Sequence, residues 1–267
     1  MARLSEAEVA QYEREGWVVP AFSLSAARVS ALQQALEALL SKNPGVRPEK
    51  LVSAHIEGDN GEGVQGVAAF LDLARDPEIV ELVSGVIGDD VILWGCHVFC
   101  KPPAEGYETP WHQDGHYWPI RPLATCTAWV ALEPSTRENG CLRVIPGSHR
   151  ERALHPHLRE DRDDLVLSQR LDATHFDEAS AVDIELQPGQ MSLHDVYMIH
   201  GAASNRSPQR RTGVALRYMP ATSVFERDIR PAEGRSGIPV DFARRPLWLL
   251  RGVDRSGRND FSVGHRR

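Results

Sequence analysis

Apolar residues recur every three or four positions in the N-terminal third of the chain, which is the spacing of an amphipathic helix. After Ser25 this pattern includes Val29, Leu32, Leu36, Leu39 and Leu40. Ser5 and Glu8 match a capping box that begins an earlier helix, and Asp76-Pro77 predicts the start of a later one. We expect these helices to lie outside a sheet. The polar, glycine-rich stretch 50–66 between them is interpreted as a loop.

Beyond residue 90 the pattern changes to short β-rich segments separated by glycine and proline turns. The candidate strands are Val91–Lys101, Cys126–Leu132, Cys141–Ile145, Val182–Leu186, Met191–Leu193, Val196–Ile199 and Thr212–Tyr218, with Trp17–Val19 as an earlier one. Helices precede the sheet and do not alternate with it, which favours a sandwich or barrel over a βαβ fold. We therefore predict one mainly β domain with flanking helices: a helical part at about 1–90, a barrel core at about 91–220 and a tail at 221–267.

Two segments lie outside this strand pattern. The charged insertion 150–176 is expected to cap a site or to be a mobile loop, and the tail is expected to pack back across the sheet. From Arg206 onward the chain has 14 Arg, no Lys and 6 acidic residues, although its overall net charge is -7. These arginines either pair with the acidic body or line an anion site, because a guanidinium binds a carboxylate through two parallel hydrogen bonds.

Composition restricts the protein class further. The chain has 267 residues, of which 42% are hydrophobic, so it can form a substantial core. Its four cysteines include no C-x-x-C pair, and no apolar run is long enough for a membrane span. We expect a cytoplasmic protein. Nucleic acid is not an expected partner, since no basic stripe is interleaved with aromatic residues. The oligomeric state is left open.

The candidate chemistry centres on the stretch W-H-Q-D-G-H-Y-W-P-I-R-P at 111–122. His112 and Asp114 are two residues apart, so an extended backbone would direct both side chains to one side. With His200 they supply two imidazoles and one carboxylate. This ligand set, with the remaining positions open, is typical of non-haem Fe(II) oxygenases. Arg211 follows at the start of a predicted strand, where its guanidinium could hold a carboxylate beside the metal.

Several motifs in order resemble the phytanoyl-CoA dioxygenase family of Fe(II)/2-oxoglutarate oxygenases. The matching text is Lys101-Pro-Pro103, the 111–122 stretch, Thr127-Ala-Trp129, the stretch Glu138–His149, Pro188-Gly189, His200-Gly201 and Arg211. The resemblance covers roughly residues 90–220 and implies a double-stranded β-helix, which is a jelly-roll or cupin-like barrel. It also implies Fe(II), 2-oxoglutarate and O2 as cofactor and co-substrates.

The resemblance implies roles for particular residues. His112, Asp114 and His200 would be the iron ligands, and Arg211 would bind the C5 carboxylate of 2-oxoglutarate. Further candidate contacts are Trp129 and His97 for the co-substrate and Tyr117, Trp118 and His116 for the substrate. Ala202 departs from relatives that have a hydroxyl two residues after the second histidine, so weaker co-substrate binding is expected.

Alternative functions use the same residues. The expected reaction is hydroxylation or another oxidation of a small molecule, with release of succinate and CO2. Since Asp114 is present, halogenation is not expected. Within the family, an acyl-CoA hydroxylase is an alternative. Outside it, the alternatives are a non-catalytic cupin-like protein that binds a metal and a ligand, and a zinc hydrolase with Glu108 as general base. His194 is a weaker ligand candidate, and His155 and His157 are expected to be solvated.

Overall fold

The computed structural model of the protein describes residues 2–59, 63–229 and 241–265. Its α-helices are α1 (Glu6–Glu15), α2 (Ala26–Lys42), α3 (Ala68–Ala74) and α4 (Pro77–Ile87). The strands are β1 (Trp17–Val18), β2 (Leu51–Val52), β3 (Gly58–Asp59), β4 (Gln65–Gly66), β5 (Val91–Lys101), β6 (Thr109–His112), β7 (Ile120–Arg121), β8 (Cys126–Ala131), β9 (Leu142–Val144), β10 (His157–Arg159), β11 (Gln169–Leu171), β12 (Val182–Ile184), β13 (Met191–Asp195), β14 (His200–Ala202), β15 (Arg211–Pro220), β16 (Val224–Phe225) and β17 (Trp248–Arg251).

The helices begin and end where their local sequence predicts. At α1 the Ser5 hydroxyl accepts a hydrogen bond from the Glu8 N–H, and the Glu8 carboxylate accepts one from the Ser5 N–H. Gly16 then ends the helix with a left-handed φ of 81°. Asp76 caps α4 by accepting from the N–H groups of the second and third helical residues. The apolar face of α2 is buried in the main core, as its spacing predicts.

Two antiparallel sheets form the barrel. The larger sheet has the order β1-β13-β8-β15-β5-β17, with β2 also pairing with β5, and the smaller has the order β12-β9-β14-β6. Side chains from both sheets line one cavity, called the barrel cavity below. This arrangement is a double-stranded β-helix with flanking helices, so the predicted fold class is confirmed. The strands β1 and β2 come from the part predicted as helical and still join the larger sheet.

Two local predictions are wrong. The stretch 50–66 is not only a loop, because Leu51 and Val52 are buried and pair with β5. The segment Val196–Ile199 is not a strand but a turn between β13 and β14. The carboxylate of Asp195 accepts a hydrogen bond from the Tyr197 N–H at 2.8 Å, which bends the backbone away from the sheet.

The insertion and the tail both pack on the barrel. In the insertion β10 pairs with β11, and Leu165, Val166 and Leu167, which lie between these two strands, are buried. In the tail β17 pairs with β5, which confirms the expected return across the sheet. Arg251 pairs there with Glu81 and Asp89. Part of the predicted tail, 230–240 and 266–267, lies outside the described residues.

All four cysteines are buried free thiols. Among the described residues, no helix combines the length and the apolar character needed to traverse a bilayer.

The loop that leads into β15 depends on one buried side chain. The Asn205 amide donates hydrogen bonds to the carbonyls of Lys101, Pro102 and Gln209 at 3.3, 3.0 and 2.7 Å. Its oxygen accepts from the backbone N–H and the hydroxyl of Ser207 at 3.0 and 2.9 Å. Asn205 therefore ties the end of β5 to the start of β15.

We expect Asn205→Ala to lower the free energy of unfolding by about 1–3 kcal/mol, because buried carbonyls lose their donor. Equilibrium urea unfolding measures the change. Gln209→Ala is the matched control, because only the backbone of Gln209 takes part in this network, and it should stay within about 0.5 kcal/mol of the wild type. Equal stability of both variants would contradict the assigned role of Asn205.

Candidate active site

The three predicted metal ligands meet at the edge where β6 and β14 pair. His112 is the last residue of β6 and lies directly opposite His200, the first residue of β14. Their ring centroids are 4.1 Å apart. Asp114 follows in a short 3-10 turn after one extended residue. The extended backbone considered in the sequence analysis therefore continues only as far as Gln113. One potential ligand atom from each residue lies within 4.8 Å of those of the other two.

Backbone carbonyls fix the orientation of both imidazoles. His112 Nδ1 donates to the Pro110 carbonyl at 2.8 Å, and His200 Nδ1 donates to the Met198 carbonyl at 3.0 Å. This tautomer leaves the Nε2 lone pairs free, and they face the Asp114 carboxylate at 3.5 and 3.9 Å. Hydrogen bonds of this kind are the usual support for metal-binding histidines. The three side chains therefore fit a divalent transition metal.

The charge states also suit a metal. Burial by itself raises the pKa of Asp114, but the adjacent His112 and the fields of His200 and Arg217 outweigh it and hold this pKa well below its usual range. Burial, followed by the neighbouring His112, lowers the pKa of His200 well below its usual value. At neutral pH the site therefore offers an ionised carboxylate and a neutral His200, the forms that bind metal ions.

Gln113, between two of the predicted ligands, is a supporting residue that the sequence reasoning missed. Its side-chain amide donates to the carbonyls of Ala153 and Tyr197 at 2.9 and 2.8 Å, and its oxygen accepts from the His155 N–H at 2.8 Å. Its backbone N–H donates to His157 Nε2 at 3.1 Å. Gln113 thus joins the ligand segment to the charged insertion.

Arg211 lies at the start of β15 and lines the barrel cavity. It is 2% exposed, and its Nη2 donates to the Gly140 carbonyl at 2.7 Å, while its Nε has no hydrogen-bond partner. Among the described residues no carboxylate forms an ion pair with it; the buried Glu49 is held by Arg47. Burial lowers the pKa of Arg211 to about 10, so the guanidinium remains charged at neutral pH. The site therefore has a buried cation available for an anion.

Trp129 supports this guanidinium. The Cζ of Arg211 lies 5.3 Å from the centroid of the Trp129 ring, within the range of a cation–π contact. The ring also covers Gly213, where an added Cβ would lie only 1.8 Å from an indole carbon. Gly213 is therefore required for this indole position. The signal that could have identified it is a glycine inside a predicted strand.

The other predicted contact residues have different placements. His97, Tyr117 and Trp118 line the barrel cavity, whereas His116 is not among its lining residues and its ring stacks on His157. Ala202 lines the cavity opposite Thr109 in the β14–β6 pair. The positions of His97, Tyr117 and Trp118 agree with the predicted contacts to co-substrate or substrate. The position of His116 does not favour a contact with the substrate. Their roles stay predictions.

The weaker ligand and base candidates are also placed. His194 lies near His200, with ring centroids 5.0 Å apart, but it is outside the three-residue cluster. Glu108 pairs with Arg162 at 3.0 Å and does not line the barrel cavity, which disfavours it as a general base. His157 is not solvated as expected: it is partly buried, and burial, followed by His116, lowers its pKa to about 3.

The lining residues that were not predicted include Trp94, Arg217, Phe242 and Arg245. Arg217 could have been found from the sequence, because it lies an even number of residues after Arg211 on the same predicted strand and so faces the same side of the sheet. Phe242 and Arg245 belong to the tail, whose position depends on contacts between distant parts of the chain.

A double-stranded β-helix with a two-histidine, one-carboxylate cluster in its cavity defines a class of metal-dependent barrel proteins. The chain belongs to the phytanoyl-CoA dioxygenase (PhyH) family, whose model matches residues 12–213.

Three similar proteins illustrate the range of relatives. A probable phytanoyl-CoA dioxygenase of Caenorhabditis elegans is 30% identical over 59% of this chain and 55% of its own length. The L-proline trans-4-hydroxylase of Streptomyces griseoviridis is 28% identical over 91% of this chain and 98% of its own. The epimerase SnoN, solved in complex with Fe3+, alpha ketoglutarate and nogalamycin RO, has a TM-score of 0.68 and 26% identity, covering 92% of this chain and 98% of its own. The chain spans about half the length of the curated phytanoyl-CoA dioxygenases it matches.

Replacing either histidine of the cluster by alanine is expected to weaken metal binding by more than roughly 100-fold, because losing only a supporting contact of a ligand already costs 10–100-fold. Anaerobic calorimetric titration with Fe(II) measures this for His112→Ala and His200→Ala, and circular dichroism checks the fold. His194→Ala is the control and should retain one metal ion. Retention of metal by both cluster variants would show that the ligands are elsewhere.

Proposed function

We propose that the protein is an Fe(II)- and 2-oxoglutarate-dependent dioxygenase that oxidises a small molecule and releases succinate and CO2. One observation carries the proposal: the buried Arg211 guanidinium, without a carboxylate partner among the described residues, lies in the same cavity as the His112–Asp114–His200 cluster. A protein that only stored a metal would not need a buried cation in this position.

The cluster would hold the iron. Its three ligands occupy one side of a metal and leave the other positions to co-substrate and oxygen. When bound, Fe(II) supplies the oxygen chemistry, and the protein supplies orientation and a site with little water. The carbonyls of Pro110 and Met198 hold the imidazoles in the tautomer that binds metal.

Arg211 would hold the far carboxylate of 2-oxoglutarate. The Gly140 carbonyl fixes one end of its guanidinium, and Trp129 supports its face. The nearby Lys101 is also buried, and its Nζ donates to the carbonyls of Ala202 and Ala203. Burial, followed by the field of Arg211, lowers the pKa of Lys101 well below its usual value, so Arg211 is the cation at this end of the cavity that favours an anionic co-substrate electrostatically.

Apolar side chains would exclude water from the reacting centre. Trp118 and Phe242 are buried lining residues of the cavity, and Leu167 of the insertion is another. The insertion thus contributes to the cavity wall, in agreement with the capping role predicted for it. A dry site strengthens the electrostatic contacts on which orientation depends.

The relatives support a small-molecule substrate over an acyl-CoA. The L-proline trans-4-hydroxylase and the ectoine dioxygenase of Sphingopyxis alaskensis align with 91% and 85% of this chain, against 59% for the probable phytanoyl-CoA dioxygenase of the nematode. Similarity to SnoN, whose structure holds alpha ketoglutarate, supports the co-substrate. We also propose a cytoplasmic location. It is supported only by the four free thiols, and burial raises the pKa of Cys96 to about 12, so this thiol is unreactive.

Arg211→Ala is expected to weaken 2-oxoglutarate binding roughly 10- to 150-fold, since hydrogen bonds to charged groups contribute about 1.5–3 kcal/mol. Titration of 2-oxoglutarate into the anaerobic Fe(II)-loaded protein measures the affinity. Arg211→Lys should recover only part of it, because an ammonium lacks the planar fork.

Arg210→Ala is the matched control for this experiment. Arg210 points away from the cavity and pairs with Glu37 and Glu133 at 2.7 and 2.6 Å, as alternation along the strand predicts. A larger loss of affinity in Arg210→Ala than in Arg211→Ala would place the co-substrate anchor elsewhere.

Turnover tests the reaction class directly. With Fe(II), 2-oxoglutarate and O2, a panel of amino acids, small organic acids and acyl-CoAs should include a compound whose oxidation forms an equal amount of succinate. The Zn(II)-loaded protein is the control and should form none. Absence of succinate throughout the panel, with metal and 2-oxoglutarate both bound, would favour the non-catalytic binding protein.

A further inference from the structure

A second buried cation lines the barrel cavity at a distance from Arg211. Side chains alternate along β15, so Arg211, Gly213, Ala215 and Arg217 share the side that faces the cavity. Six residues of strand separate the Cα atoms of the two arginines by about 20 Å. A five-carbon diacid is shorter than two extended residues, which span about 7 Å. A co-substrate held at Arg211 therefore leaves Arg217 for another anion.

Arg217 has no ion-pair partner within the described part of the chain. Its Nε is buried without a hydrogen-bond partner. Its Cζ lies 4.9 Å from the centroid of the Trp118 ring and 5.8 Å from that of Trp94. These contacts place the cation beside two indole rings, which offer it no oxygen acceptor, so its unpartnered Nε–H is available to an oxyanion.

Trp94 adds an unused donor beside this guanidinium. It is 1% exposed and lines the cavity, and its indole N–H has no acceptor among the described residues. Buried tryptophan N–H groups normally have a hydrogen-bond partner. Two neighbouring donors without protein acceptors therefore indicate a ligand that accepts hydrogen bonds.

Arg245 of the tail brings a second positive charge to the same place. It is 2% exposed and lines the cavity. A Cβ built on Gly95 would lie 3.5 Å from Arg245 Nη1 and 3.6 Å from Arg217 Cδ, so both side chains cover the same glycine of β5. Arg245 therefore adds positive potential beside Arg217, which favours an anionic ligand at this end of the cavity.

We propose that the Arg217 guanidinium and the Trp94 N–H form a second anion subsite, which lies beside Arg245 and binds the carboxylate of the primary substrate. The aromatic rings of Trp94, Trp118 and Phe242 cluster beside these groups and suit an apolar body on the same molecule. The substrate class is therefore a small organic acid with an apolar portion. That this acid is the substrate rests on the proposed function, whereas the subsite itself is tested by binding alone.

Binding of matched acids and amides tests the subsite. Butyrate, hexanoate, phenylacetate and 3-indolepropionate, each with its amide and with phenyl phosphate as a further anion, are titrated into the Zn(II)-loaded full chain with saturating 2-oxoglutarate. Quenching of tryptophan fluorescence or calorimetry gives the affinities. We expect at least one acid to bind roughly 10- to 150-fold more tightly than its amide. No acid binding better than its amide would overturn the proposal, and tighter binding of phenyl phosphate would overturn the carboxylate assignment.

Three variants separate the subsite from a merely structural role. Arg217→Ala should abolish the preference for the acid, and Arg217→Lys should restore part of it. Trp94→Phe keeps the ring and removes only the N–H, so a loss of roughly 2- to 10-fold is expected. Arg210→Ala is the surface control on the same strand and should change nothing. If Arg217→Ala unfolds, the lysine and phenylalanine variants still decide the question.

The affinity for 2-oxoglutarate in each variant provides the second readout. It should be unchanged in Arg217→Ala; a loss as large as that in Arg211→Ala would assign Arg217 to the co-substrate and overturn the proposal. Acid binding without succinate formation from any acid would contradict the proposed function and leave the subsite in place. Succinate formed only from neutral compounds would contradict the subsite as the site of the primary substrate and leave the proposed function in place.

Discussion

The register of β15 is the constraint on which the cavity depends. This strand lies between β5 and β8 in the larger sheet, and its alternation directs Arg211, Ala215 and Arg217 to the cavity. A shift by one residue would exchange them for Thr212, Leu216 and Tyr218, because neighbouring side chains point to opposite faces. Arg210 opposes that shift: it is held on the outside by Glu37 and Glu133. A surface ion-pair network thus helps to maintain a buried arrangement of charges.

The sequence predicted features that depend on local patterns. The caps of α1 and α4 and the bounds of β5 follow from residues within a few positions of one another. The cluster of His112, Asp114 and His200 followed from spacing and from ordered motifs. Val196–Ile199 was misassigned because its apolar residues suit a strand, whereas one hydrogen bond from the Asp195 side chain selects a turn. Arg245 and Gly213 were missed because their importance depends on partners far away in the chain.

At each end of the cavity lies a buried guanidinium, that of Arg211 or of Arg217, whose Nε has no hydrogen-bond partner among the described residues. A buried guanidinium costs free energy unless an anion compensates it. The core clusters around the barrel must therefore offset this cost in the absence of ligands. Because ligands that bind only the folded state add to its stability, anions bound at these positions would raise the unfolding temperature. The same charges that orient ligands thus couple occupancy to stability.

The tail contributes Arg245 and Phe242 to the cavity wall and β17 to the larger sheet. Chains are synthesised from the N-terminus, and folding can begin before synthesis ends. The strands that carry the metal cluster and Arg211 therefore leave the ribosome before the residues that complete the opposite part of the cavity. A nascent chain at that stage has the groups for co-substrate binding but an open wall. The cavity wall is consequently the last part of the barrel to be assembled during synthesis.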